Sequence, residues 1–194
     1  MPLNPTRYFA ANVQTALDGG RIVAKFLNEI MTSEIEESCQ YIIVAHSLGC
    51  WLAAEMMAEM RRLNAPACNK LKLILMAGAV PTVDVENDNL YGGALVSALN
   101  VSNLYSPDDR VLRWLFPIGE IPDGRLGLEA IGLNGAPTNF AWSQREQMTR
   151  FDHGDYWTKA PSAEFLARLL GAPVPMTLPA NDIPSYHPPE YSPL

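Results

Sequence analysis

The sequence predicts an α/β fold with about four mostly parallel strands flanked by helices, followed by an extended proline-rich arm. Apolar, β-branched runs alternate with segments of helical periodicity, and no internal repeat breaks the alternation. Strands separated by helices pair in parallel, because a crossover helix returns the chain to the same end of the sheet. The most informative stretch is Tyr41–Gly49, where the run Tyr-Ile-Ile-Val ends in Ala-His-Ser-Leu-Gly and passes straight into a helix-forming segment. At 194 residues the chain can bury one sizeable core, and its length argues against two. The expected boundaries are a single domain over 1–171 and the arm over 172–194.

Taken in order, 12–31 places Val13, Leu17, Ile22, Phe26, Leu27 and Ile30 at helical spacing, interrupted by Gly19 and Gly20. An acidic stretch (Glu34, Glu36, Glu37) precedes a strand over 41–45. The helix expected over 48–63 has Leu52, Met56, Met60 and Leu63 as its apolar stripe. Its Arg61 and Arg62 suit the negative end of the helix dipole, and its methionines read as core filling. A loop with Pro66 spans 64–69. The second strand is expected over 71–80, closed by Gly78 and Pro81. A short helix over 91–99 leads to a third strand over 101–106 and a helix over 111–116. A fourth strand is expected over 129–133, then a long polar loop over 134–154 and a final helix over 162–170, capped by Gly171. Its proline content makes 172–194 an extended arm.

A net charge of −7 argues against nucleic acid or an anionic membrane surface as partner. Cys39, Cys50 and Cys68 form no CxxC pair and no even framework, so a reducing compartment is expected. Met1–Ala10 has no apolar core of a signal peptide, and no apolar run is long enough to span a bilayer. The expectation is a soluble, cytoplasmic protein. Asp84, Glu86 and Asp88 alternate like calcium ligands, yet the glycine and distal glutamate of an EF-hand loop are missing. Neither a metal nor a cofactor is expected.

The chemistry-bearing residues fall in three segments. In Ala45-His46-Ser47-Leu48-Gly49, a sharp strand-to-helix turn would present Ser47 at the C-terminal edge of the sheet. Such a turn asks for small residues at Ala45 and Gly49, and Gly49 is expected where a larger side chain would collide with the neighbouring strand. The Leu48 amide would face a developing oxyanion. A serine hydroxyl is a poor nucleophile until an imidazole takes its proton, and the imidazole needs a carboxylate to fix its tautomer. Of three histidines, His46 lies in the turn itself and His187 in the arm, while His153 sits in Asp152-His153-Gly154-Asp155, ahead of the final helix. The acid comes from Tyr105-Ser106-Pro107-Asp108-Asp109-Arg110-Val111-Leu112. Asp109 is favoured over Asp108, the other being solvated or capping the following helix, and Asp84 is a third candidate.

Together these three segments resemble the α/β-hydrolase superfamily, and more narrowly a poorly characterised bacterial branch with an Ala-His-Ser-x-Gly turn. The resemblance covers roughly residues 8–170 as an order of elements and implies a Ser47, Asp109, His153 triad. Members of the superfamily normally carry several strands before the first helix, one feeding a His-Gly loop that donates a second oxyanion amide. Residues 1–40 hold no counterpart, which implies a compact or truncated version with an open edge beside the first strand. In a compact version the second amide is expected from Gly19-Gly20 or from a partner chain, and a third reading is a relic that kept the triad and lost activity. Loss of one such donor costs about a hundred- to a thousandfold in rate, so activity is expected to be weak.

The function implied is hydrolysis of a carboxylic ester or thioester, esterase- or lipase-like, through an acyl-enzyme on Ser47. Trp114, Leu115, Phe116, Ile118 and Trp142 are candidates to line an acyl pocket or simply to pack a helix. An acyltransferase would share the first half-reaction. The reading from another class is a non-catalytic interaction or assembly module, using the open edge and the arm to bind another chain or a second copy.

Overall fold

Strands form where the chain runs apolar and branched, and helices where apolar residues recur every three or four positions. The computed structural model describes residues 5–32, 39–86, 89, 91–119, 127–137 and 144–172. Helix α1 spans Pro5–Met31, two turns longer at its start than periodicity predicts. The glycine pair does not interrupt it. A Cβ on Gly20 would lie 2.6 Å from the Leu52 carbonyl oxygen and 2.9 Å from Glu55 Cβ, so Gly20 is where α1 meets helix α2, Gly49–Arg62. A mid-helix glycine costs about 1 kcal/mol against alanine, and the close approach of two helices offsets it.

Helix α2 buries far more than one stripe. Cys50, Trp51, Ala53, Ala54, Met56, Met57 and Met60 are all buried, because α2 packs against α1 as well as β1 and β2. Leu63, expected in the stripe, is exposed at the helix end. Two carboxylates are buried with it. Arg21 Nε lies 2.7 Å from Glu55 Oε1, the Tyr91 hydroxyl donates to Glu55 Oε2 at 3.1 Å, and Arg62 forks onto both oxygens of Glu59 at 2.7 Å. These charge-assisted bonds offset the cost of taking each carboxylate out of water.

The sheet contains β1 (Tyr41–His46), β2 (Leu71–Met76), β3 (Asn100–Tyr105) and β4 (Gln144–Gln147), in that order and all parallel. One row of the register runs Val44, Ile74, Ser102, Gln144. Strand β2 is buried on both faces (Leu71, Leu73, Ile74, Leu75, Met76), as an inner strand of a parallel sheet must be. Strand β1 is an edge among the described residues, and Ile42 and Val44 on it are partly exposed. The chain is thus an α/β protein, with four parallel strands flanked by helices among the described residues.

Several boundaries differ from expectation. Strand β2 ends at Met76 rather than at 80, because Ala77 takes a left-handed φ of 45° and donates its N–H to the Leu104 carbonyl, turning the chain. Pro66–Lys70 is a 3-10 turn rather than a plain loop, and helix α3 is only Gly92–Leu95. Helices α4 (Arg110–Trp114) and α5 (Phe116–Gly119) follow β3. The expected fourth strand over 129–133 is overturned: Ala130 makes a lone antiparallel bridge to Pro81, and Ile131–Asn134 is helix α6. The real β4 comes from the stretch read as a polar loop. Its sequence, Gln-Arg-Glu-Gln, joins the edge through backbone bonds and carries no apolar signal.

Contacts group the chain into two compact units, Met1–Gly154 and Asp155–Leu194. The first holds the sheet and α1 to α6. The second, within the described residues, holds a 3-10 turn at Asp155–Trp157 and helix α7, Ala160–Leu170. Gly171 ends α7 with a φ of 65°, and Lys159 pairs with Asp155 at 2.6 Å. Of the expected arm, all but Ala172 lies outside the described residues.

Candidate active site

Ser47 sits between the last residue of β1 and the first turn of α2, with a φ of 55°. For a residue with a Cβ this left-handed conformation costs energy and persists only where its surroundings hold it. Three backbone bonds do so. The Ser47 N–H donates to the Met76 carbonyl at 3.0 Å, and the Ser47 carbonyl accepts from Ala79 N–H and Cys50 N–H at 3.1 Å each. The expectation for Gly49 is corrected, since a Cβ there meets nothing within 4 Å. The crowding lies one loop away. A Cβ on Gly132 would overlap the Gly78 nitrogen, and one on Gly78 would lie 2.9 Å from Ile131 Cγ1. Leu48 is helical (φ −62°, ψ −22°) at the N-cap of α2, so its amide belongs to the unpaired start of the helix.

The base and acid segments meet Ser47 from elsewhere in the chain. His153 Nε2 lies 2.8 Å from Ser47 Oγ, and His153 Nδ1 lies 2.8 Å from Asp109 Oδ2. A carboxylate only accepts, so Nδ1 carries the proton and Nε2 presents its lone pair to the serine hydroxyl. Asp109 is fully buried, and its other oxygen accepts the Leu112 N–H at 2.9 Å, capping α4. Cap and imidazole partner were expected on different aspartates, and the structure puts both on Asp109. Asp108 instead accepts the Arg150 N–H at 2.9 Å. Asp84 lies in the 3-10 turn Thr82–Val85 and is not a partner of His153. His187 lies outside the described residues.

Ties absent from the sequence reading join the acid and base segments. Ser106 Oγ donates to the Phe151 carbonyl at 2.7 Å. Asp152 accepts from Arg110 Nε at 3.0 Å and from the His153 N–H at 3.0 Å, and the Arg110 guanidinium holds its carboxyl below the usual range. His46, set aside as a base, also turns toward this segment. Its Nε2 lies 2.7 Å from the His153 carbonyl oxygen and its ring centroid 4.9 Å from that of His153. Burial pushes the His46 imidazole below its ordinary value of 6.5. No periodicity or motif marks Ser106, Arg110 or His46 for these roles, because each acts through a residue distant in sequence.

Other chemistry is placed away from Ser47. Cys50 is fully buried, and burial pushes its thiol well up, which makes it a poor nucleophile. Gly19 and Gly20 lie inside α1 against Leu52 and Glu55, which overturns them as a source of the second oxyanion amide. Of the candidate acyl-pocket residues, Phe116 is buried, Trp114, Leu115 and Ile118 are exposed, and Trp142 lies outside the described residues. A cavity of about 720 Å³, lined by Arg21, Glu55, Arg61, Arg62 and Tyr91 among others, lies toward the far end of α2 from Ser47. Among the described residues no group of three His, Cys, Asp or Glu could hold a metal ion, and no helix is long and apolar enough to cross a membrane.

Neither a curated protein nor a solved structure matches the chain. One family does: its description is alpha/beta hydrolase of unknown function (DUF900), and it matches residues 20–119. The matched region includes Ser47 and Asp109 and stops short of His153. A match over about half of the 194 residues, on a parallel sheet flanked by helices, places the chain in this family of α/β-hydrolases.

Proposed function

We propose that the chain is a serine hydrolase that cleaves a carboxylic ester or thioester through an acyl-enzyme on Ser47. The observation that carries this reading is the unbroken hydrogen-bond relay from Ser47 Oγ through His153 to Asp109, 2.8 Å at each step. His153 Nε2 takes the hydroxyl proton as Ser47 Oγ attacks the carbonyl carbon. The negative charge that forms on the carbonyl oxygen is met by the Leu48 amide. The imidazolium, stabilised by Asp109, passes its proton to the departing alcohol or thiol, leaving Ser47 acylated. Water, deprotonated by His153, then attacks the acyl carbon, and the imidazolium returns that proton to Ser47 Oγ as the acid leaves. No cofactor takes part. Exposed Trp114, Leu115 and Ile118, just after the acid segment, offer apolar surface for an acyl chain. Cys39, Cys50 and Cys68 form no disulfide, which fits a reducing, cytoplasmic setting.

The test is labelling with a fluorophosphonate probe, read by intact mass on wild type and Ser47→Ala. One adduct on wild type, absent from the variant, is expected, followed by turnover of short-chain esters or thioesters. A folded, monodisperse protein that takes no adduct would overturn the reading. One observation favours the alternative of an interaction module: β1 has no partner on its outer side among the described residues, and Ile42 and Val44 are partly exposed there. That module would bind a second copy or another chain with Ser47 unreactive.

A further inference from the structure

We infer that His46 is a positioning residue, whose imidazole grips the backbone of His153 and so sets the His153 ring against Ser47. This rests on the serine-hydrolase reading for its effect on rate, but not for the contact itself. The His153 carbonyl oxygen can only accept, so the 2.7 Å contact requires a proton on His46 Nε2, donated to that oxygen. The two imidazoles also touch, their planes tilted by 55°. Burial favours the neutral form of His46, which suits a ring beside His153, since a second cation there would oppose the imidazolium formed during catalysis.

Further ties on the base segment come from the acid side or from the segment itself. Ser106 holds Phe151, Asp108 holds the Arg150 amide, Arg110 holds Asp152, and Asp152 holds the His153 amide. His46 is the tie that runs from the nucleophile's own strand. It adjoins Ser47 in the chain, so a movement of the turn carries serine and grip together and keeps the distance from Oγ to Nε2. Loss of the grip removes a hold from the Ser47 side while the ties to β3 and α4 remain, so the His153 ring shifts relative to Ser47. A misplacement of about 1 Å at reacting atoms costs about a hundredfold in rate.

The experiment compares wild type with His46→Leu, which lacks the donor, and His46→Gln, whose amide nitrogen can reach the same carbonyl. Full-length proteins are used for fluorophosphonate labelling, ester turnover and imidazole nitrogen NMR of His153. We expect His46→Leu to label about ten- to a hundredfold more slowly and to lose kcat with KM unchanged, and His46→Gln to recover most of the rate. Labelling of His46→Leu within about twofold of wild type would overturn the inference. If His46→Leu fails to fold, His46→Phe keeps the ring and lacks the donor, and the same comparison applies. NMR separates this inference from the hydrolase reading. Should wild type itself take no adduct, a His153 Nε2 resonance that departs from wild type in His46→Leu and returns toward it in His46→Gln, two variants that both lack the neighbouring ring, still supports the grip, while the same resonance in both variants overturns it.

Discussion

At the residue scale, Asp109 does two things with one carboxylate: one oxygen caps α4 through Leu112 N–H, and the other holds His153 Nδ1. The two roles separate by substitution. Asp109→Asn keeps a cap acceptor but presents the wrong partner to the imidazole, so labelling and turnover should fall by about 10³–10⁴ with the melting temperature nearly unchanged. Asp109→Ala should lose the same activity and about 1 kcal/mol of stability besides, measured by urea unfolding. Asp108→Ala removes only the acceptor for Arg150 N–H and is expected to retain activity within about tenfold. An Asp108 variant as inactive as Asp109→Asn would contradict this division. Ser47, Asp109 and His153 stood out in the sequence because each sits in a short motif with a local signature, and the structure brings their side chains together. The double duty of Asp109 was not, because the motif shows which residue types are present and not how each oxygen points.

At the element scale, the adjacent glycines of α1 test how closely two helices pack. Gly20→Ala would drive its methyl against the Leu52 carbonyl oxygen, while Gly19→Ala would meet only Leu52 Cδ1, 3.3 Å away on a flexible side chain. Gly20→Ala should cost about 1–3 kcal/mol, and Gly19→Ala should be neutral or slightly stabilising, read from denaturant midpoints at constant slope. Gly132→Ala is the severe case. Its Cβ would overlap the Gly78 nitrogen and the Ala77 carbonyl carbon, and 77–79 is the segment whose Ala79 N–H supports the Ser47 carbonyl. We expect Gly132→Ala to lower both the melting temperature and the labelling rate, whereas a variant with wild-type values would show that α6 can retreat freely. Periodicity located the long helices and the inner strands, since burial stamps an apolar pattern on both. It missed β4, where the backbone does the pairing and the side chains Gln144, Arg145, Glu146 and Gln147 stay polar.

At the scale of the whole molecule, stability should carry the mark of two groups in separate pH windows. The folded protein holds His46 below its ordinary 6.5, chiefly by burial. Just below that pH the unfolded chain binds a proton that the folded chain refuses, so stability falls as pH drops through 6.5 and stops falling below the folded value. Asp152 is held below its ordinary 3.8, chiefly by Arg110, so its contribution is present above 3.8 and is lost as pH falls through the folded value. That pair is exposed and its effect is small. Melting temperatures across pH should therefore decline just below 6.5 in wild type, and His46→Gln should flatten that step while Asp152→Asn leaves it intact. A step that survives His46→Gln would assign it to another group. The sequence by itself determined the class of fold, the parallel order of apolar strands and the strand-to-helix turn at Ser47, because burial and turn geometry constrain residue type locally. Only the tertiary structure decided that a polar stretch adds a strand to the sheet, that Gly20 and Gly132 rather than Gly49 are tight glycines, and that His46 reaches across to His153. Those depend on which distant segments lie side by side, and contact between remote residues leaves no periodic trace in the chain.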